Sequence, residues 1–494
     1  MIYTLVLLTK GYFDFQCQWI FETKLLVLCF ELEPTLDLDH IIFEFFLLEK
    51  THYSSLLIFV PEITPRVEYT FELIFQNILG IELIFTTKQD EFLQSVLPKI
   101  NYSQANLSSG LFLKAHSLLF QKTISVQEIE VVEYQQMQLF FPTSEDSFLP
   151  FDPFACAFYM VSRYEEYLSE STDEHERFTD SENILVRHGL HQKPIVDILA
   201  YLVAEKISVQ FPECKTRKRT FQFVSSIDID NAWAFKNKSL LVSFGAILKA
   251  VFQGRWDELK QRLIVFLGLR KDPYDTYKYI LETYKGLLNH ILFFILMGDR
   301  DQFDKSISYK NKNFRLLITN LASVCEVGIH PSYASNYKPW LFETEKERLE
   351  DIILKSVTKS RQHFLKLKLP KTYQQLLKYG ISEDYTMGFA SLAGFRAGTC
   401  TAYYFFNLSC NHRTELLIHP FQVMDVALKN YLHMDPDEAW QVIGELMHEV
   451  KKVNGTFISL WHNESLKDSG QWLGWRKVFE QILETGLKYT NGQS

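Results

Sequence analysis

Strands and helices that alternate along the chain predict an α/β protein. Three observations carry this. An apolar run, an amphipathic helix and a second apolar run follow one another between Leu56 and Phe85. The same alternation recurs several times between Phe221 and His462. Within that second region, Asp, His and Arg residues stand where the apolar runs stop, as at the C-terminal face of parallel-strand barrels.

The first 52 residues are rich in Phe, Leu and acids, with weak periodicity, and read as an extension without a core of its own. A first α/β domain is expected over 53–215. LLIFVP is a buried strand stopped by Pro61, and Pro65 opens a helix that Gly80 closes. IELIFTT is the next strand. Phe151–Leu168 has helical spacing, with Arg163, Glu165 and Glu166 on an expected solvated face. His175 lies in a charged loop that reads as surface. Lys215–Arg219 (KTRKR) reads as a solvated linker to a second domain over 216–485.

That domain is organised around FQFVSSIDIDNAW, Phe221–Trp233. Residues two apart on a strand share a face, so Asp228 and Asp230 leave its end aimed at one spot. Two carboxylates that close repel unless a cation lies between them, and a divalent metal is the simplest partner, with one Asp as ligand and the other free to act as base. Helices are expected from Ser239 to Leu269 with a break at Gly254. Buried strands follow at Ile291–Gly298 and at Val324–Ile329, the latter ending in His330. Arg361 and His363 fall in SRQHFLKL, Asp384 and Arg396 in later loops, and His419 and Asp425 in LLIHPFQVMD. Asp435, Pro436 and Gly455 frame the clearest helix of the chain. TFISLWHNE is the last strand and carries His462.

Composition narrows the function. At 494 residues with 47% hydrophobic side chains, the chain has material for two or three domains. A net charge of −9 without a dense basic run argues against nucleic acid as the main partner. Seven scattered cysteines without C-x-x-C read as thiols in a reducing compartment. MIYTLVLLTKGYFDF lacks the pattern of a signal peptide, and no apolar run is long enough for a transmembrane segment. A cytoplasmic protein, brushing a membrane at most, is expected. Walker, dinucleotide-glycine and nucleophile-elbow patterns are absent from the sequence.

From about 221 to 480 the chain resembles the polysaccharide deacetylase superfamily, the NodB-type carbohydrate esterases. From about 56 to 485 it resembles an uncharacterised bacterial subgroup with a separate N-terminal domain. LPFDPFACAFYMVSRYEEYL, SIDIDNAW, EVGIHPSYAS, SRQHFLKLKLP, DYTMGFASLAGFRAGTC, HPFQVMD and NGTFISLWHNES carry the likeness. The resemblance implies a distorted (β/α) barrel, usually seven-stranded, holding zinc, with cobalt, nickel or manganese as alternatives. It implies that Asp228 is the base and Asp230 a metal ligand. His330 matches the first His of the superfamily's H-[ST]-x-x-H motif, but the second position is Ala334. Either His363 replaces the missing ligand or the metal is held loosely or not at all. Of R-x-P-Y only Arg361 remains. Asp384 and Arg396 are candidates to orient the base, and His462, with His419 as competitor, for the general acid. The activity implied is removal of an acetyl group from an N- or O-acetylated sugar, and the first reading is an intracellular one, a lipid-linked or nucleotide-linked precursor of a surface polysaccharide. Trp233, Tyr333 and Trp461 are candidates to stack on a sugar ring. A degenerate barrel serving as a glycan-binding or assembly module is the alternative, and a phosphoesterase on the same scaffold a third.

Overall fold

A computed structural model describes residues 54–492; the expected N-terminal extension lies outside the described residues. The described residues form one compact unit. It contains a four-stranded parallel sheet, a nine-stranded sheet that is parallel except at one edge, and a short hairpin.

The first sheet holds β1 (Ser55–Phe59), β2 (Glu82–Thr86), β3 (Lys99–Ser103) and β4 (Leu111–Lys114), in the order β2-β1-β3-β4, all parallel. The β1–β2 crossover begins as expected: the Thr64 side chain accepts from Val67 N–H, and Pro65 occupies the first turn. The helix Pro65–Phe71 runs on as a π-helix, Glu72–Leu79. Gly80 ends it at φ +69°, and a Cβ there would lie 2.5 Å from the Arg217 Cβ. Both the left-handed turn and the close approach therefore favour glycine. β5 (Val131–Tyr134) and β6 (Met137–Phe140) form the antiparallel hairpin.

The second sheet has nine strands. They are β7 (Gln222–Ile229), β8 (Ile291–Leu296), β9 (Glu326–His330), β10 (Lys359–Ser360), β11 (Glu383–Asp384), β12 (Tyr403–Asn407), β13 (His412–Ile418), β14 (Val423–Met424) and β15 (Thr456–His462). Their order is β12-β13-β11-β10-β9-β8-β7-β15-β14, and only β12 runs antiparallel to its neighbour. Among the described residues no ladder joins the edge strands β12 and β14, so the fold is mixed α/β with an open strand order. SRQHFLKL, expected as a strand or strand end, contributes only Ser360 to β10 and then turns at His363–Leu365.

Register brings the strand ends level. Asp228 pairs with His462 on one side and Phe294 on the other; Leu296 pairs with His330, and Ser360 with both Ile329 and Asp384. The chemistry-bearing residues thus leave the sheet along one edge. Behind it, the helix Pro436–Lys452 buries Ala439, Ile443, Leu446 and Val450, a 3.6-residue stripe. Asp435 and Glu438 form its capping box. The left-handed residue after it is Asn454, at φ +46°, rather than Gly455, whose own Cβ would strike the Cys400 Sγ.

Three surface expectations are corrected. Glu165 and Glu166 are buried with Arg163, which reaches them at 2.9 and 2.8 Å. Glu166 also takes a bond from Arg396 Nη2 at 2.9 Å. His175 is buried against Phe303, Tyr333 and Phe364. Within the otherwise exposed KTRKR stretch, Arg219 pairs with the buried Asp197. Glu166 sits between two buried guanidinium groups, and removing one member of a buried ion network costs about 3–5 kcal/mol. Glu166→Gln is expected to lower unfolding free energy by about that amount, measured as a shift in the urea midpoint at unchanged slope.

Candidate metal centre

Asp230 follows β7 directly and faces three imidazoles. Its carboxylate oxygens lie 3.2 Å from His330 Nε2, 3.4 Å from His363 Nε2 and 3.7 Å from His462 Nε2. One ligand atom from each of Asp230, His330 and His363 lies within 4.8 Å of the others.

The far side of each ring fixes what the near side offers. His330 Nδ1 is 2.6 Å from the Arg361 carbonyl, which can only accept, so that nitrogen carries the hydrogen. His363 Nδ1 is 2.8 Å from Asp304 Oδ1, and His462 Nδ1 is 2.8 Å from Asp425 Oδ1. In the neutral rings all three Nε2 lone pairs therefore point at an anionic carboxylate. Acceptors facing acceptors need a cation between them, supplied either by protons or by a metal. With the rings neutral, the buried Asp230 Oδ1 receives no hydrogen bond, as an atom meant for a cation would not. The residues present fit a divalent ion.

Protonation tendencies express the same demand. Burial opposes charge on His363, but Asp230 and Asp304 outweigh it and push the imidazole up to about 9. For His462, burial is again overcome, here by Asp425 and then Asp230, and the pKa rises well above the ordinary value. Burial alone would raise the Asp230 carboxyl; charged His363 and the hydrogen bonds from His330 and His363 hold it well below the usual range.

Asp228 is buried beside this cluster, with Oδ2 3.7 Å from His330 Nε2. Arg361 anchors it. Nη1 donates to Asp228 Oδ1 at 2.9 Å, Nη2 to Ser226 Oγ at 2.7 Å and Nε to the Tyr385 carbonyl at 2.9 Å. With all three arms engaged, the guanidinium is fixed and fully buried.

The other candidates stand apart. Asp384 binds its own turn, accepting from Thr386 N–H, Thr386 Oγ1 and Ser360 Oγ, and burial raises its pKa. Arg396 points to Glu166 and the Gly388 carbonyl, not to Asp228, because the buried Arg163–Glu166 network claims it. His419 Nε2 lies 3.0 Å from Glu383 Oε2 and its ring stacks on Tyr385 at 4.3 Å. Trp461 is core, packed on Trp475 and Phe479; Trp233 packs on Phe314; Tyr333 packs among Phe303, Phe364 and His175.

The bond from His419, with burial opposing and Lys359 assisting, holds Glu383 down to about 2 from an ordinary 4.5. A depressed carboxyl stabilises the fold above its unfolded pKa and loses that contribution as pH falls through the folded one. His419→Ala should therefore leave turnover in place and lower the urea midpoint at about pH 6, with the penalty closing as pH falls towards about 2.

Sequence reasoning missed Asp304 and Ser226. Asp304 lies in the loop after β8, eight residues beyond the strand end and behind Asp299 and Asp301, so the strand-end rule that found the histidines does not reach it; it also accepts from the Tyr333 and Ala334 N–H groups.

Residues 56–212 match a family described as a family of unknown function (DUF7033). No curated protein matches the chain. Among solved structures, the chain is similar to a protein provisionally described as a polysaccharide deacetylase from Mycobacterium smegmatis, at 12% identity and a TM-score of 0.36, over 56% of this chain and 93% of that one. It is similar to a mutant of a CE4-family pseudoenzyme with restored enzymatic activity, at 11% identity and a TM-score of 0.25, over 55% and 65% of the two chains. It is also similar to a polysaccharide deacetylase from Bacillus cereus, at 10% identity and a TM-score of 0.27, over 54% and 88%.

Proposed function

We propose that the protein is a metal-dependent hydrolase that removes an acetyl group from an N- or O-acetylated sugar. The observation that supports this most is the convergence of three imidazole Nε2 atoms on Asp230, each ring anchored at Nδ1 by an acceptor. Asp230, His330 and His363 would hold the ion, with zinc the first candidate and cobalt, nickel or manganese next. A divalent ion there supplies Lewis acidity towards an acyl carbonyl and brings water's pKa towards neutrality.

The chain's own groups do the rest. Arg361 orients Asp228 through a charge-assisted hydrogen bond. Asp228 takes the proton of the attacking water. His462, oriented by Asp425, gives a proton to the leaving amine or alcohol, so that water and the acetyl ester or amide become acetate and a free sugar hydroxyl or amine. His462 is the better acid than His419, whose Nε2 is turned to Glu383. Asp304 orients His363 much as the Arg361 carbonyl orients His330.

His363→Ala should weaken metal binding at least about 100-fold, the upper end of the loss for an outer-shell partner, measured by competition with a chelating dye. Acetate release from acetylated amino sugars by metal-loaded protein, abolished by chelation and restored by reloading, tests the activity. Ala334 at the position of the second motif His favours a second reading, a non-catalytic glycan-binding module; sugar binding without acetate release would establish it.

A further inference from the structure

The chain leaving β7 builds two helices, Leu240–Phe252 and Trp256–Phe266, before reaching the rest of the fold. They turn only Ala250, Arg262 and Val265 fully inward. Outward they present a long apolar face: Leu240 is 89%, Phe252 88% and Trp256 66% exposed, with Leu241, Leu267 and Leu269 alongside. An apolar surface of this extent marks an interaction site.

Charge says what it meets. Between 236 and 271 the chain carries eight Lys or Arg and two acids, in a protein of net charge −9. Three of these cations, Lys238, Lys249 and Arg262, line a cavity of about 330 Å³ against Leu241 and Val242, joined there by Arg300. The Arg262 side chain is only 6% exposed, and its Nη2 bonds Glu258. Its Nε and Nη1 have no partner, so two buried donors lack an acceptor. Burial, and then Arg300, push the neighbouring Lys238 down to about 8. The cavity adjoins the metal centre: Lys238 Nζ lies 3.2 Å from the side-chain oxygen of Asn231, the residue after Asp230, in the amide orientation that satisfies both its ends.

We propose that the 240–269 segment docks on the surface of an anionic phospholipid bilayer, with its apolar face at the acyl boundary and a lipid phosphate among Lys238, Arg262 and Arg300. Leu, Phe and Trp on one face with Lys and Arg beside them suit a helix lying in the interface. Neither helix is long and apolar enough to cross a membrane. A second copy of the same face would set one excess of positive charge against another. Resting on the deacetylase reading, the dock also names a substrate class: an acetylated sugar attached through phosphate to a lipid, with the phosphate beside Asn231 and the sugar beyond it.

Co-sedimentation of the full chain with vesicles tests this without requiring turnover. The protein should pellet with vesicles of phosphatidylcholine and phosphatidylglycerol, stay in solution with phosphatidylcholine alone, and be released by salt. Leu241→Ser combined with Phe252→Ser, both exposed and outside the core, should weaken binding more than about tenfold. Arg262→Gln should weaken it about fivefold, the effect of one cation near the surface. Failure to pellet, equal pelleting with neutral vesicles, or unchanged binding by the apolar double variant would overturn the dock. So would a dimer in light scattering that the double variant dissociates, since a second copy would then cover the face. Vesicle binding without acetate release would leave the dock standing and sink the deacetylase reading; acetate release without vesicle binding would do the reverse.

Discussion

Asp230→Ala should yield a folded protein that has lost its metal and its turnover together. The carboxylate is the one anion among the three candidate ligands, and the rings converge on it from β9, the turn after β10 and β15. Without it, two neutral imidazoles remain, and no carboxylate is left in the ligand set to offset the ion's charge in a half-buried site. Affinity should fall by more than about 100-fold, exceeding the loss from an outer-shell partner, and acetate release should fall to background. Asp230 lies at the end of β7 and not within the hydrophobic core, so the urea midpoint should change little.

Asp228→Asn should separate the same two properties. Asp228 is held by Arg361 and does not belong to the Asp230–His330–His363 group, so metal content should be kept. Turnover should fall by about 10²–10⁴-fold, the usual worth of a positioned general base. The buried guanidinium of Arg361 loses its counter-charge, which predicts a stability loss of up to about 3–5 kcal/mol. Activity is therefore compared at a temperature where circular dichroism shows both proteins folded. Loss of metal in this variant would make Asp228 a ligand instead.

Much of this centre was legible because one rule found it. Apolar runs ending in Asp or His are local patterns, and parallel pairing in register carries those ends to one edge. That brought out Asp228, Asp230, His330, His363, Asp425 and His462 without knowledge of the strand order. It could not separate His462 from His419, since both follow apolar runs; the difference is that Glu383, next to Asp384 in the two-residue β11, captures His419. Arg361 and Arg396 were equally open, and Glu166, 230 residues from Arg396 in sequence, decides that case. The Arg163–Glu165–Glu166 group reads as solvated because charge pairs on helices usually are; its burial depends on packing between distant segments. Asp304 was hidden among the acids of GDRDQFD, and only its bond to His363, 59 residues on, distinguishes it. The two-residue strands β10 and β11 are too short to leave an apolar period, so SRQHFLKL could be assigned a site residue but not its turn.

The most direct measurement is metal content per chain by elemental mass spectrometry on protein purified without a metal-affinity tag, for the wild type, Asp228→Asn and Asp230→Ala side by side. The account predicts close to one transition-metal ion per chain in the first two and none in the third. A wild type that carries no metal and gains none on incubation with zinc, cobalt, nickel or manganese would contradict it.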